Sequence, residues 1–295
     1  MAIKKSKVSR RKFLKTGTIA AGAGAATLAM PNVSMAKTTT LKVQAAWGGG
    51  IFLENAKSYV DRVNQMAGKG LKIDLLSVNS VVKTSQMQDA VHRGVLDGAH
   101  YVPAYWYSKS PAASLFGTGP CFGWSAQEML GWIHYGGGMG LFNELMGSLG
   151  LNLVSFFNSP MPAQPLGWFK EPINSLADFQ KLKYRSPPGL TGELFTNMGI
   201  SAVALPGGEL VPAMQRGVID AGEWINPGED IRLGLHQVWK NYYLQGFHQA
   251  SDLGSIIINK DFWNKLPADL QAIIKTAAKA SVTDSIAINI HKNAA

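Results

Sequence analysis

Apolar residues alternate between strand-like and helix-like spacing along the chain. Leu41 to Ala46 and Leu71 to Val78 have the pattern of strands, and Phe52 to Met66 between them carries apolar residues at helical spacing. A second segment with helical spacing, Gln86 to Arg93, follows the second strand. Because a strand–helix–strand–helix order favours parallel pairing, the pattern predicts an α/β fold of mixed, mostly parallel sheets flanked by helices.

A short unit occurs twice, half a protein apart. Ala90 to Asp97 (AVHRGVLD) returns at Ala213 to Asp220 (AMQRGVID) with five identical positions. Each copy predicts a helix closed by Arg-Gly and followed by a short strand. We therefore expect two similar α/β lobes with a ligand cleft between them. A coincidence between two common helix–strand junctions is the alternative explanation.

The order of predicted strands indicates where the lobes divide. Leu151 to Phe157 is predicted to lead out of the first lobe, and the buried strand Ile256 to Ile258 to return to it. We predict a first lobe of residues 37–160 plus 252–295 and a second lobe of residues 161–251. The last helical pattern shows no terminating signal before Ala295, so we expect a truncated C-terminus.

Residues 1–36 have the pattern of a twin-arginine signal peptide. Ser9 to Lys15 (SRRKFLK) carries the arginine pair, Thr16 to Met30 is weakly apolar, and Ser34 to Ala36 is a small-residue cleavage site. The apolar stretch is shorter than the roughly twenty residues that span a bilayer. The sequence therefore predicts export to the periplasm.

Removal of the signal peptide lowers the net charge of the chain. The formal net charge is +9, but seven basic residues and no acidic ones lie in the first 36 residues, which leaves +2. A balance so close to zero argues against a nucleic-acid or anionic-membrane partner. The single cysteine, Cys121, rules out an internal disulfide.

Catalytic patterns are scarce, whereas one arginine suggests anion binding. The six histidines lack metal-ligand spacing, and no nucleophile elbow or phosphate-binding loop is present. Arg185 lies between apolar neighbours in a predicted strand, where its charge needs a carboxylate. That carboxylate could belong to a ligand, held through two parallel hydrogen bonds, or to the protein, for example Glu193 or Asp178.

Several motifs of the second lobe resemble a known transport family. The chain is similar to the solute-binding subunits of tripartite ATP-independent periplasmic (TRAP) transporters, in the branch that binds 2-oxo acids, lactate and related carboxylates. The resemblance rests on Gln164 to Phe169, Tyr184-Arg185, Leu205 to Glu209, Gly217 to Trp224 and Asn241 to Tyr243. The Glu-Trp pair at Glu223-Trp224 is the most specific of these motifs.

The resemblance implies a ligand site with a cation beside the substrate. It assigns the carboxylate clamp to Arg185, and a sodium or calcium ion to Gln164, the Glu223 carboxylate and the Trp224 backbone carbonyl. Oxygen ligands of this kind suit hard cations. A capping role remains the alternative for Glu223, and core packing for Trp224.

Two aromatic residues of the first lobe are expected to face the second lobe. Tyr101 follows the first repeat as Trp224 follows the second, and Trp47 ends the first strand. We expect both aromatic side chains to contact the ligand, with Gln164 and Trp224 on the other side. Core packing is the alternative for each of the two.

The expected function is capture of a small organic acid and its delivery to the TRAP membrane subunits, with no catalysis and no catalytic cofactor. A binding protein of an ATP-driven importer and a twin-arginine-exported metalloenzyme are the alternatives. The chain departs from the family at Pro160 to Ala163, which leaves the identity of the acid open. A homodimer is one option for the oligomeric state.

Overall fold

Residues 38–118, 123–205 and 207–294 are described by the computed structural model, so the predicted signal peptide and Cys121 lie outside them. In chain order, the strands in the described part are β1 (Thr39–Ala45), β2 (Leu71–Leu76), β3 (Gly98–Tyr101), β4 (Leu153–Met161), β5 (Gly167–Phe169), β6 (Lys183–Ser186), β7 (Ser201–Ala204), β8 (Ala221–Gly222), β9 (Asn241–Tyr243) and β10 (Asp252–Asn259).

The α-helices of the same residues connect and cover these strands. They are α1 (Gly50–Ala67), α2 (Met87–His92), α3 (Ala126–Tyr135), α4 (Gly138–Ser148), α5 (Leu176–Phe179), α6 (Leu190–Asn197), α7 (Leu210–Gln215), α8 (Pro227–Arg232), α9 (Leu235–Val238), α10 (Lys260–Lys265) and α11 (Ala268–Asn293). None of the described helices is both long and apolar enough to cross a membrane.

The strands form two five-stranded sheets with the same pattern of strand directions. The first sheet has the order β2-β1-β3-β10-β4 and the second has the order β7-β6-β8-β5-β9. In each sheet the first three strands are parallel, and the last two run antiparallel to their neighbours. The predicted two-lobed α/β architecture of mixed sheets flanked by helices is therefore confirmed.

The two copies of the repeat have the same local structure. Two residues after each helix lies a glycine in the left-handed region, with φ of 73° at Gly94 and 67° at Gly217, where a side chain would be strained. Each copy then ends at an aspartate. The carboxylates of Asp97 and Asp220 accept hydrogen bonds from the backbone of the neighbouring parallel strand, at 2.8 and 3.1 Å. The two copies also occupy equivalent places, since each precedes the third strand in the order of its sheet, β3 or β8.

Each sheet packs apolar side chains on both faces. On the fully buried strand β10, Ile256 and Ile258 belong to one core cluster and Ile257 to another, as strand alternation requires. In the second sheet, Trp168 and Phe169 divide between two clusters in the same way. Strands that are covered on both faces carry apolar residues at consecutive positions, which explains why these segments lack polar alternation although they run antiparallel to their neighbours.

Two elements have different ends in the structure from those predicted. The strand predicted over residues 151–157 runs from Leu153 to Met161, and its pairing with β10 extends to Met161. The helix predicted to cover residues 267–280 continues to Asn293 as α11, which packs against β4, α1 and α8. The predicted break in the segment 127–149 is confirmed, because Gly137 adopts a φ of 90° between α3 and α4.

Candidate functional site

Arg185 lies on β6 with only 1% of its surface exposed. Its Nε and Nη2 donate to the carbonyl oxygen of Leu205 at 3.0 and 2.7 Å. Its Nη1 donates to the backbone carbonyl and to Oε1 of Glu223, both at 2.7 Å. A guanidinium has five N–H groups, so among the described residues one N–H of Nη2 is left for another acceptor.

The internal partner of Arg185 is therefore Glu223, and neither Glu193 nor Asp178 takes that place. Glu193 is exposed on the short helix α6, whereas the carboxylate of Asp178 accepts hydrogen bonds from Ser175 at the start of α5. The sequence offered these two because they are close in the chain. The actual partner is 38 positions away, brought near by the parallel pairing of β6 with β8.

Glu223 is fully buried directly after β8. Burial raises the pKa of this carboxyl above its ordinary value, although Arg185 acts in the opposite direction. Its Oε2 has no hydrogen-bond partner among the described residues. Gly167 makes room for it: with φ at +103°, an added Cβ there would lie 2.4 Å from the Gly222 carbonyl and 2.9 Å from the Glu223 backbone.

Gln164 joins the same group from the segment before β5. Its Nε2 donates to the backbone carbonyl of Trp224 at 2.8 Å, and the side chain is only 3% exposed. Its Oε1 is buried and lacks a donor within the described residues. The structure thus brings together the three predicted cation ligands Gln164, Glu223 and Trp224, and places them next to Arg185.

The Trp224 indole forms part of the cleft wall. The guanidinium carbon of Arg185 is 5.9 Å from its ring centre, and Phe52 of the first sheet's helix α1 meets it edge-on at 5.8 Å. Gly207 leaves the space that the indole occupies, since a Cβ there would lie 1.7 Å from a ring carbon. Gly207, in the Leu205 to Glu209 motif, therefore leaves room for the Trp224 indole to take this position.

A cavity of about 20 Å³, room for about one water molecule, lies between the two sheets at this point. Aromatic and apolar side chains make up most of its wall, with a few polar groups directed inward. It is lined by Trp47, Phe52, Val102, Tyr105, Thr118, Gln164, Arg185, Pro187, Trp224, Ile225, Gln249 and Asp252. Such a wall with few polar groups is typical of small-molecule sites.

Of the two aromatic residues expected from the first lobe, the structure brings one to the cavity. Trp47 stacks on Phe52 with ring centres 4.3 Å apart, and its Nε1 donates to Nδ1 of His100 at 2.8 Å. Tyr101 instead stacks on Trp106 at 4.6 Å inside the first lobe's core and does not line the cavity. The position of Tyr101 thus does not support its predicted contact with the ligand.

Tyr105 and Asp252 line the cavity but were not predicted from the sequence. Tyr105 reaches the wall because the short 3-10 helix Pro103–Trp106 turns the chain after β3. Pro103 was the available signal for that turn. Asp252 begins β10 and is 5% exposed, and burial raises its pKa to about 7. An acidic residue entering a run of apolar residues was the signal for Asp252.

Another buried carboxyl holds the segment that follows Glu223. Asp230 accepts hydrogen bonds from Nε1 of Trp168 at 3.0 Å and from the backbone of Ile225 at 3.4 Å. Burial raises its pKa to about 7 even though these bonds oppose the shift. Asp230 therefore fixes Trp224 and its neighbours from behind, outside the cavity lining.

Glu229 connects α8 to the N-terminus of α1. Its Oε2 accepts the backbone N–H of Ile51 at 2.7 Å, and its Oε1 accepts from Arg232 at 2.5 Å. Gly50 permits this approach, because with φ at +70° an added Cβ would lie 2.5 Å from Oε2. A carboxylate at a helix N-terminus is favoured by the free N–H groups and the helix dipole. This contact joins helices that flank the cleft.

The donor set indicates what the site can bind. Nowhere in the described residues do three or more His, Cys, Asp or Glu side chains form a group that could hold a metal ion. The unpartnered oxygens of Gln164 and Glu223, with the Trp224 carbonyl nearby, are instead hard ligands with a single negative charge. Such oxygens suit sodium or calcium, which would also offset the charge of an anionic ligand.

Comparison with known proteins agrees with this geometry. Residues 50–295 match the family model of bacterial extracellular solute-binding protein, family 7. A monocarboxylate 2-oxoacid-binding periplasmic protein of Nostoc sp. is 34% identical over 283 residues, which cover 92% of this chain and 75% of the relative.

Solved structures show the same fold with ligands bound. The TRAP periplasmic solute-binding protein of Pseudoalteromonas atlantica, with sodium and pyruvate, has a TM-score of 0.81 and 32% identity, covering 88% of this chain and 78% of that one. The corresponding protein of Colwellia psychrerythraea, with calcium and pyruvate, has a TM-score of 0.81, 33% identity and the same coverage. The chain therefore belongs to family 7 of the bacterial extracellular solute-binding proteins.

Proposed function

We propose that this protein captures a small organic carboxylate, of the 2-oxo or 2-hydroxy acid type, together with a sodium or calcium ion, and delivers it to TRAP membrane subunits. The observation that carries the proposal is the buried group of Arg185, Glu223 and Gln164 at a cavity between the sheets, with unpartnered oxygens on the last two. The pyruvate and cations bound by the similar structures support the same choice.

Binding needs groups of the chain itself, the cation and closure of the cleft. The remaining N–H of Arg185 donates to the ligand carboxylate, while Gln164, Glu223 and the Trp224 carbonyl hold the cation. The cation supplies positive charge beside the carboxylate. Trp47, Phe52 and Trp224 then exclude water, which strengthens these polar contacts. Micromolar affinity corresponds to about 8 kcal/mol, which a few charge-assisted hydrogen bonds and the burial of the ligand can supply.

The lobes between which the ligand binds are assigned as residues 37–160 plus 252–295 and residues 161–251. The strands of the first sheet fall in the first range except for Met161, the last residue of β4, and those of the second sheet fall in the second range. Closure would bend the connections near residues 160 and 251. In this assignment the protein binds and releases its ligand unchanged and acts as no enzyme.

Isothermal titration calorimetry with pyruvate tests the proposal. We expect binding in the presence of sodium or calcium, and loss of binding after chelation and desalting. Arg185→Lys keeps the charge but removes the planar fork, and should weaken binding at least about tenfold. Arg216→Ala, an exposed arginine of the same lobe, is the matched control and should bind normally.

Two results would reject parts of the proposal. If Arg185→Lys binds pyruvate as tightly as the wild type, the clamp assignment fails. If neither pyruvate nor any other 2-oxo or 2-hydroxy acid binds with either cation, the carboxylate function fails.

Export through the twin-arginine route is the proposed path to the periplasm. The support is the SRRKFLK segment with the apolar stretch and small-residue site that follow it. Replacing Arg10 and Arg11 together by lysine should leave the protein in the cytoplasmic fraction of expressing cells. Normal recovery of that variant from the periplasm would contradict this route.

A further inference from the structure

Five buried polar atoms in or beside the cavity have no partner within the described residues. Four are oxygens: Oε1 of Gln164, Oε2 of Glu223, Oε1 of Gln249 and Oδ1 of Asp252. The fifth is the indole N–H of Trp224. Because buried polar groups are almost always hydrogen-bonded, this excess of acceptors points to a ligand that brings donors or positive charge.

The proposed cation accounts for only part of this excess. The Gln164 and Glu223 oxygens lie on the side of the second sheet, next to Arg185. The Gln249 amide can turn to present its N–H₂ group to an acceptor. Asp252 has no such freedom above its pKa, since an ionised carboxylate only accepts hydrogen bonds.

Asp252 also stands on the other side of the cleft. It is the first residue of β10, where it pairs with Met161 of β4 in the first sheet. It is 5% exposed and lines the cavity, while the clamp Arg185 belongs to the second sheet. A ligand held by Arg185 in this cavity would therefore have Asp252 on the wall that the first sheet contributes.

We propose that Asp252 is a specificity-determining residue whose carboxylate accepts a hydrogen bond from the hydroxyl of a 2-hydroxy acid. This inference rests on the proposed function, because it requires an acid in the cleft. A 2-oxo acid presents an acceptor at the same carbon, which leaves the Asp252 oxygen unpaired and facing another oxygen. The site should therefore prefer a 2-hydroxy acid over the 2-oxo acid of equal size, and prefer one of its enantiomers.

The test compares three acids of the same size. Calorimetry with calcium present measures the binding of pyruvate and of (R)- and (S)-2-hydroxypropanoate at pH 8.5, above the pKa of about 7 to which burial raises Asp252. One 2-hydroxy enantiomer should bind at least about tenfold more tightly than pyruvate, the lower range for a hydrogen bond to a charged group. Asp252→Asn keeps the size of the side chain and should reduce that ratio to below about threefold.

Ser255→Ala provides the matched control. Ser255 is a buried polar residue of the same strand that does not line the cavity, so the ratio should stay at its wild-type value. Circular dichroism of both variants confirms that they are folded before binding is measured.

Three results overturn the inference. The wild type could bind pyruvate as tightly as both enantiomers, or Asp252→Asn could keep the wild-type ratio. Asp252→Asn could also lower the affinity for all three acids equally and change which cation is required. Asp252 would then act by compensating the charge of the cation and not by recognising the hydroxyl group. Failure of the wild type to bind any acid would instead reject the proposed function itself.

Discussion

The buried ion pair between Arg185 and Glu223 makes a sharp prediction for stability. Arg185→Met leaves the Glu223 carboxylate buried without its cation, and Glu223→Gln leaves the guanidinium without its carboxylate. Both side chains are at most 2% exposed, so each single variant should lose about 3–5 kcal/mol of unfolding free energy. The double variant removes both charges and should lose only about 1–3 kcal/mol, mainly because the Leu205 carbonyl loses its donors.

Urea denaturation of the wild type, both single variants and the double variant gives the coupling between the two residues directly. The two single losses should exceed the double loss by at least about 2 kcal/mol, far beyond the additivity of separate sites. The loss in Arg185→Met should also grow with pH, because burial raises the pKa of Glu223 and Arg185 opposes that rise, so that without Arg185 ionisation of Glu223 becomes more costly. Additive losses, or a loss in Arg185→Met that is independent of pH, would refute the assignment of a coupled buried pair.

Three further predictions follow from single contacts. Glu229→Gln should lower the unfolding free energy by about 2–4 kcal/mol because the buried carboxylate binds the α1 N-terminus and an arginine, whereas Glu209→Gln on the surface should change it by less than about 0.5 kcal/mol in the same urea titration. Gly207→Ala should displace the Trp224 indole, shifting its fluorescence and weakening acid binding in calorimetry; unchanged binding would show that the indole does not wall the site. Burial raises the pKa of Asp252 from 3.8 to about 7, so between these values the folded chain keeps a proton that the unfolded chain has released. Stability should fall as pH rises through that window, by about 1.4 kcal/mol per pH unit from this group, and an equally steep fall in Asp252→Asn would contradict the assignment.

The two-lobed architecture could be predicted from the sequence because its signals are local. The repeated Arg-Gly turn needs a glycine with positive φ, and the aspartate after it bonds the backbone of the neighbouring strand. Both requirements restrict the residue types at adjacent positions, so they can be recognised in the sequence. The continuous apolar runs of the buried strands did the same for the two sheets.

The site was only partly predictable because its contacts join distant parts of the chain. The resemblance singled out Arg185, Gln164, Glu223 and Trp224, which the structure brings together, but not the hydrogen bonds between them. The rule that equivalent repeat positions face each other failed for Tyr101. Its side chain points into the core at the end of β3, and the 3-10 helix that follows presents other residues to the cleft.

Native mass spectrometry of the purified protein tests the central claim most directly. The spectra are recorded as isolated, after chelation, and after addition of pyruvate or 2-hydroxypropanoate with sodium or calcium. The account predicts one acid and one cation bound together per chain, with acid binding lost when the cation is removed. A protein that retains no acid with either cation, or that binds acid equally well without any cation, would contradict it.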